Sequence, residues 1–467
     1  AGRGTDKSLA VLVARSTPID QYLMEHPEYF FDQSHERAVI DPQNPYVLAA
    51  HLRCAMHELP LDGSDEQLFG PLTAGIVRVL AEEKEAVEYN GRWFWTGPSY
   101  PANDVALRSA DADNYVIQDV TDGEPRVVGM LDEWSAFTLV HDEAVYLHEG
   151  DTYFVERLDT QNRVATVVRK QLDYYTVAID KTRVRLLREP DEPVQERCIP
   201  RGRVGLGMAE VTSSVFMFKK IKFYRNESIG YGSVRLPEHT LLTKAVYIAP
   251  AAAVLAGVQQ AGLDVMEGML GASNAVAGVL PPLISCDPGD VGAVVDSANL
   301  GVPAIFMYDR YPGGVGYAER AFEQAEGLLA AALELVERCP CESGCPSCVG
   351  PPPPMMSMGE DIDTRGASPD KRATIALLRA FVFGELPERR ADARLASPSP
   401  AAIGHEEEAG AEHVGAAPTG AAEGNAPPLL PGSLPRAVEK EIRKRIARWR
   451  ESRAKHGGAQ DYTRNNG

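Results

Sequence analysis

What this sequence lacks narrows the possibilities first. No apolar run among its 467 residues is long enough to span a bilayer, and no signal-peptide pattern opens the chain. The nearest approach, residues 245–257, is short, is followed by Gln259 and Gln260, and reads as a buried strand running into a helix. Basic residues are outnumbered, 47 Lys and Arg against 66 Asp and Glu, for a net charge of −19. That excludes nucleic-acid binding through bulk charge but leaves room for a local basic surface. Cysteine is scarce at seven residues, of which Cys54, Cys198 and Cys286 are scattered in apolar or neutral settings, unlike a secreted disulfide framework. Walker A, nucleophile-elbow and His-Glu-x-x-His motifs are all missing, and His51, His57, His141 and His148 stand isolated and read as structural. No residue set here is arranged to catalyse a reaction alone. The expectation is a soluble, cytoplasmic protein that does not engage membranes.

What is present falls into modules, about three domains' worth by length. A buried-strand composition at Ser8–Ala14 is followed by a short helix over Pro18–Glu28. Asn44 and Pro45 make a strong helix start, with Val47, Leu48, Leu52 and Ala55 at helical spacing. A second helix follows Pro71 with Ile76, Val79, Leu80 and Val87 on one face, and Asn90-Gly91 then marks a hairpin ending in Trp93 and Trp95, both read as packing residues. Helices followed by a hairpin wing predict a winged-helix domain over 36–100. Short strand-like runs separated by Asp122-Gly123, Glu149-Gly150 and Gln161-Asn162, the last run being Tyr174–Ile179, predict a small barrel-like β-rich domain over 101–195. Residues 196–385 mix strands and helices, among them a helix from Tyr317 to Val336 and one capped by Ser368 with Pro369 at its first position. Residues 386–432, rich in Ala, Gly, Pro and Glu, cannot offset their ordering entropy and read as a disordered linker. A separate basic amphipathic helix is predicted over 433–457, with Val438, Ile442, Ile446 and Trp449 on one stripe and a partner that is nucleic acid, an acidic protein or a membrane surface, or simply solvent.

The strongest chemical signal is Cys339-Pro-Cys341-Glu-Ser-Gly-Cys345-Pro-Ser-Cys348. Four thiols in ten residues can converge on one tetrahedral ion, and thiolate favours zinc. All four positions are filled by protein, so the role is structural. Paired disulfides and an iron–sulfur cluster are the competing readings. The stretch Tyr308–Gly316 has glycines ahead of a helix, which could present N–H groups to a phosphate or simply form a tight packing turn. Lys219, Lys220, Lys222 and Arg225 interleave with aromatics along a strand, a pattern that fits either a nucleic-acid contact or a solvated strand face.

The cysteine spacing, Tyr308-Asp-x-x-Pro-Gly-Gly-x-Gly316 before it and Cys286-Asp-Pro-x-Asp290 earlier still resemble the zinc-binding (DUF1998) domain of MrfA (YprA-like) helicases. Asn44-Pro45 to Pro60-Leu61, Gly91–Trp95, Tyr146-Leu-His-x-Gly150 with Tyr153, and Tyr174-Tyr175-Thr176 resemble the winged-helix and β-rich segments of that family, so the resemblance extends over roughly 1–385. It implies the C-terminal portion of an ATP-dependent superfamily 2 DNA helicase that moves 3′ to 5′ and serves DNA repair. Ala1-Gly2-Arg3 resembles the end of the family's Gln-x-x-Gly-Arg-x-Gly-Arg motif, which would make residues 1–35 the end of the second RecA-like domain and Arg3 the arginine finger on the γ-phosphate. ATP and Mg2+ then belong to the full-length protein, whose N-terminal RecA-like motor is absent from these residues, and the chain alone neither hydrolyses ATP nor unwinds DNA. The expected architecture is α+β multidomain, with zinc as structural cofactor and DNA, single-stranded or tailed, as partner. The alternative is a zinc-stabilised scaffold in a phage-defence system resembling DISARM.

Overall fold

The structure, a computed structural model, describes residues 9–15, 17–32, 39–97, 100–105, 114–188, 193–225, 227–351, 368–388 and 434–456. Arg3 and nearly all of the predicted linker lie outside them. Residues 9–15 form no strand: Leu9, Val11 and Val13 are exposed, and no described strand pairs with them. An apolar run of this composition needs neighbouring strands to satisfy its backbone. Thr17 then caps α1 (Pro18–Glu25), and Pro27 starts the one-turn α2 (Glu28–Phe31).

The winged helix follows from local rules. Asn44 Oδ1 accepts the N–H groups of Tyr46 and Val47, each at 3.0 Å, and Pro45 opens α3 (Pro45–Glu58). This helix buries Leu48, Ala49, Leu52 and Met56, whereas Val47 faces solvent. A short α4 (Glu66–Phe69) leads to α5 (Thr73–Glu82), which buries Ile76, Val77, Val79 and Leu80. Strands β1 (Ala86–Tyr89) and β2 (Arg92–Trp95) form the wing, turned by Asn90 and Gly91 at φ 53° and 75°, the paired positive values of a two-residue I′ hairpin. Val87, expected on the helix, is on β1 and exposed.

Strands β3 (Asn114–Asp119) and β4 (Arg126–Asp132), helix α6 (Glu133–Leu139), and strands β5 (Val145–His148), β6 (Asp151–Asp159) and β7 (Val164–Arg169) make the second unit. Its five-stranded sheet has the order β4-β3-β7-β6-β5, with only β3 and β7 parallel. Phe137 of α6 packs among Tyr115, Ile117 and Val155, and Val215 and Phe218 of a later strand complete this core.

The third unit is a seven-stranded sheet formed by β8 (Tyr174–Leu186), β9 (Gln195–Ile199), β10 (Gly202–Lys222), β11 (Ser228–Ser233), β12 (His239–Pro250), β13 (Val291–Asp296) and β14 (Ala304–Asp309). The Tyr174–Ile179 run, read from sequence with the preceding strands, pairs instead with β10. Alternation divides β12 and β14: Val246, Ile248, Ile305 and Met307 face the helices, while Ala245, Tyr247, Ala304 and Phe306 line the opposite core. The helices are α7 (Ala252–Gln260), α8 (Val265–Ile284), α9 (Tyr317–Glu323), α10 (Ala325–Arg338) and α11 (Lys371–Phe383). Asp370, not Ser368, caps α11 by accepting from Arg372 and Ala373. A last helix, α12 (Arg436–His456), returns to the winged helix. No described helix is long and apolar enough to cross a membrane.

Candidate metal centre and basic surfaces

The loop between α10 and α11 brings the four predicted cysteines together. Cys339 lies 3.6 Å from Cys341 and 3.5 Å from Cys345, and Cys348 lies 3.6 Å from Cys341 and 3.7 Å from Cys345, sulfur to sulfur. Tetrahedral thiolates at about 2.3 Å from one zinc ion are about 3.8 Å apart. A disulfide needs about 2.05 Å, and a cluster would place several irons and sulfides between its thiolates. The spacing therefore fits a single ion. This is the one group of three or more His, Cys, Asp or Glu among the described residues with ligand atoms converged closely enough to hold a metal.

Three helices meet at the loop. Lys371, buried at the start of α11, donates its Nζ to the carbonyls of Cys339 at 2.6 Å and Cys341 at 2.9 Å, and its N–H to Ser343. Asn274 of α8 donates to Val349 O at 2.9 Å. Gly344 has φ +123°, and a Cβ there would lie 2.4 Å from Pro369 O, so the turn admits only glycine without a shift. Sequence reading found the cysteines but neither Lys371 nor Asn274. Only the adjacency of Lys371 to the capping Asp370 hinted at a helix start, and nothing local marked Asn274.

The glycine turn ahead of α9 is already occupied. Asp309 on β14, fully buried, accepts the N–H groups of Val315 (2.7 Å), Gly316 (3.2 Å), Tyr317 (3.2 Å) and Ala318 (2.8 Å). These are the donors a phosphate would need, so the tight-turn reading holds. Burial pushes the Asp309 carboxyl up to about 6, against the downward pull of the Val315, Ala318 and Tyr317 N–H groups and with Glu319 adding to the rise. Asn44 Nδ2 donates to Pro312 O at 2.7 Å and Gly314 O at 2.6 Å, fastening the winged helix to this turn.

Lys219, Lys220 and Lys222 lie half-buried at the end of β10, and Arg225 is exposed in the turn beyond it. Lys220 is 3.5 Å from Glu143 and sits over Phe218 and Tyr174, while Lys222 is 3.6 Å from Asp173. Tyr175, Phe223 and Tyr224 cluster beside them, with Tyr224 fully exposed at φ 64°. Lys220 and Lys222, each near a carboxylate, share one face of β10 with Phe218, whereas alternation along the strand turns Lys219 to the opposite face, so the cations lie close in sequence without forming one face. Fully buried His141 bonds the Asp142 carbonyl at 2.8 Å, and burial holds its pKa below the ordinary value, in keeping with a structural role.

The basic helix is not separate. Val438, Ile442 and Ile446 of α12, with Leu434 before it, are buried in one core with Leu52, Met56, Ile76 and Leu80. Arg443 binds Glu82 and, at 3.0 Å, Glu83; Arg450 reaches Glu83 at 3.1 Å and Glu85 at 3.7 Å. The acidic partner is within the chain.

Residues 272–349 match the MrfA Zn-binding domain, and residues 40–110 match the winged helix domain of the ATP-dependent helicase HRQ1. The chain is 40% identical over 357 residues to the uncharacterized ATP-dependent helicase YprA of Bacillus subtilis, an alignment covering 75% of this chain and 46% of that protein. It is 27% identical over 376 residues to the ATP-dependent helicase HRQ1 of Saccharomyces cerevisiae, covering 75% of this chain and 34% of that one. A crystal structure of the DUF1998 helicase MrfA is similar with a TM-score of 0.50 at 34% identity, over 72% of this chain and 47% of that one. The chain therefore spans less than half the length of these relatives.

Proposed function

We propose that this chain, whose residues 272–349 match the MrfA Zn-binding domain and 40–110 the HRQ1 winged helix domain, is the DNA-engaging, zinc-stabilised accessory part of a cytoplasmic, ATP-dependent 3′–5′ DNA helicase acting in DNA repair. The observation that carries this reading is the 40% identity to YprA over 357 residues, which joins both matched domains to a helicase. In it, Cys339, Cys341, Cys345 and Cys348 hold one zinc ion, whose chemistry is to cross-link the loop without an open coordination position. Lys371 places its ammonium against the peptide carbonyls of two ligands and so offsets the negative charge of a zinc tetrathiolate. Asn274 and the start of α11 then fasten the loop to the helices around it.

DNA contact is assigned to Lys219, Lys220, Lys222 and Arg225, with Tyr224 placed for stacking on an exposed base. ATP and Mg2+ are handled by RecA-like motor domains of the full-length protein, whose end residues 1–35 would form. The exposed Leu9, Val11 and Val13 suit a strand that such a sheet would pair. Arg3, outside the described residues, keeps the role of γ-phosphate arginine finger.

Fluorescence anisotropy of the chain with 3′-tailed, duplex and single-stranded DNA across a salt series tests the reading. Binding should weaken steeply with salt, and Lys219→Ala with Lys222→Ala and Arg225→Ala should flatten the log–log slope by about 2–3. Absence of binding at low salt would transfer the DNA grip to the motor and favour the scaffold alternative.

A further inference from the structure

The way α12 sits on the winged helix has a functional consequence. Its 21 residues include Arg436, Lys440, Arg443, Lys444, Arg445, Arg448, Arg450 and Arg453, enough positive charge for a nucleic-acid arm. In the docked position that charge is partly spent. Arg443 faces Glu82, Glu83 and its own helix's Glu439, and Arg450 faces Glu83 and Glu85, while Lys444 is 3.6 Å from Glu441. The carboxylates of Glu82, Glu83 and Glu85, at the end of α5 and just before the wing, occupy the guanidinium groups of Arg443 and Arg450, the groups a backbone phosphate would pair with. The apolar stripe holds the helix to the same surface.

We propose that α12 is a stored DNA-binding arm, a latch for which the acidic end of α5 and the phosphates of DNA compete. This rests on the DNA-engaging reading above. Docked, the arm has Arg443 and Arg450 engaged by the winged helix's own carboxylates. Released, Arg443 and Arg450 become available to phosphates. An exchange of carboxylate for phosphate partners conserves the number of ion pairs, and polyelectrolyte counterion release tips it toward DNA at low salt. The surface that α12 leaves is apolar and acidic, so re-docking competes as DNA dissociates or salt rises.

The test uses the full chain and three variants. Ile442→Ser with Ile446→Ser loosens the apolar stripe without altering charge; Glu82→Gln with Glu83→Gln loosens the ionic part; and truncation after residue 433 removes the arm. Hydrogen exchange of the α12 amides and anisotropy with a 3′-tailed duplex are measured on each. The expected result is faster α12 exchange in the unmodified chain on saturation with DNA, affinity on the order of tenfold higher at 0.1 M salt in both loosened variants, and no such gain in the truncated chain. DNA binding with α12 still fully protected, or loosened variants whose α12 exchanges fast yet bind no tighter, would overturn the latch while leaving the DNA reading intact. No binding by any form would overturn both.

Discussion

The buried ion pair of the winged helix sets a quantitative test of how this module is held. Arg53 of α3 is 0% exposed and donates Nε to Glu85 Oε2 at 2.9 Å, and the Glu85 side chain is 3% exposed. Arg53 also lies 5.1 Å from the Trp95 ring centroid, and Arg450 of α12 approaches the second Glu85 oxygen at 3.7 Å. Glu85→Ala removes the carboxylate from a guanidinium that water cannot reach. Breaking such a pair costs about 3–5 kcal/mol, whereas replacing both partners by apolar groups of similar volume is near neutral. Against an m-value of about 1–1.5 kcal/mol/M for a module this small, the winged-helix urea midpoint should fall by about 2–5 M. Trp93 and Trp95 pack on this core and report it by fluorescence, in a background with Trp134 and Trp449 changed to Phe. Arg53→Met combined with Glu85→Leu should recover most of the loss. A shift below about 0.5 M for Glu85→Ala would refute the assignment of a solvent-excluded pair.

Two further outcomes follow from the zinc lobe. Lys371→Met should accelerate zinc transfer to a chromogenic chelator by about tenfold, as expected on losing a group that supports metal ligands; an unchanged rate would remove Lys371 from the centre. Because the folded pKa of Asp309 is raised to about 6, its contribution to stability is fully present below about pH 4, the unfolded value, and is lost as pH rises through about 6. Between pH 5 and 7 that amounts to about 1 kcal/mol, read as the difference in denaturant midpoints between the unmodified chain and Asp309→Asn. Parallel pH profiles for the two would contradict it.

Features encoded by neighbouring residues were legible in the sequence. Asn44-Pro45 and Asn90-Gly91 carry their helix cap and hairpin turn within a few residues, and the cysteine quartet occupies a single loop. What needed the third dimension was not legible. The docking of α12 rests on contacts such as Arg443 to Glu82, separated by 361 positions, so its stripe and its charges read equally well as an independent helix. The apolar run at 9–15 has strand composition but no described strand to pair with, and composition alone cannot supply one. Ser368-Pro369 looked like a cap, yet Asp370 two residues on accepts two N–H groups and starts α11 there, which is what delivers Lys371 to the cysteine loop.

The account turns on four thiolates holding one ion that ties α8, α10 and α11 together. Metal analysis with X-ray absorption on the purified chain tests this most directly. One zinc per chain with a first shell of four sulfurs at about 2.3 Å is the predicted result. Iron with sulfide, mixed nitrogen or oxygen ligation, or cysteines recovered as disulfides with no metal would contradict it.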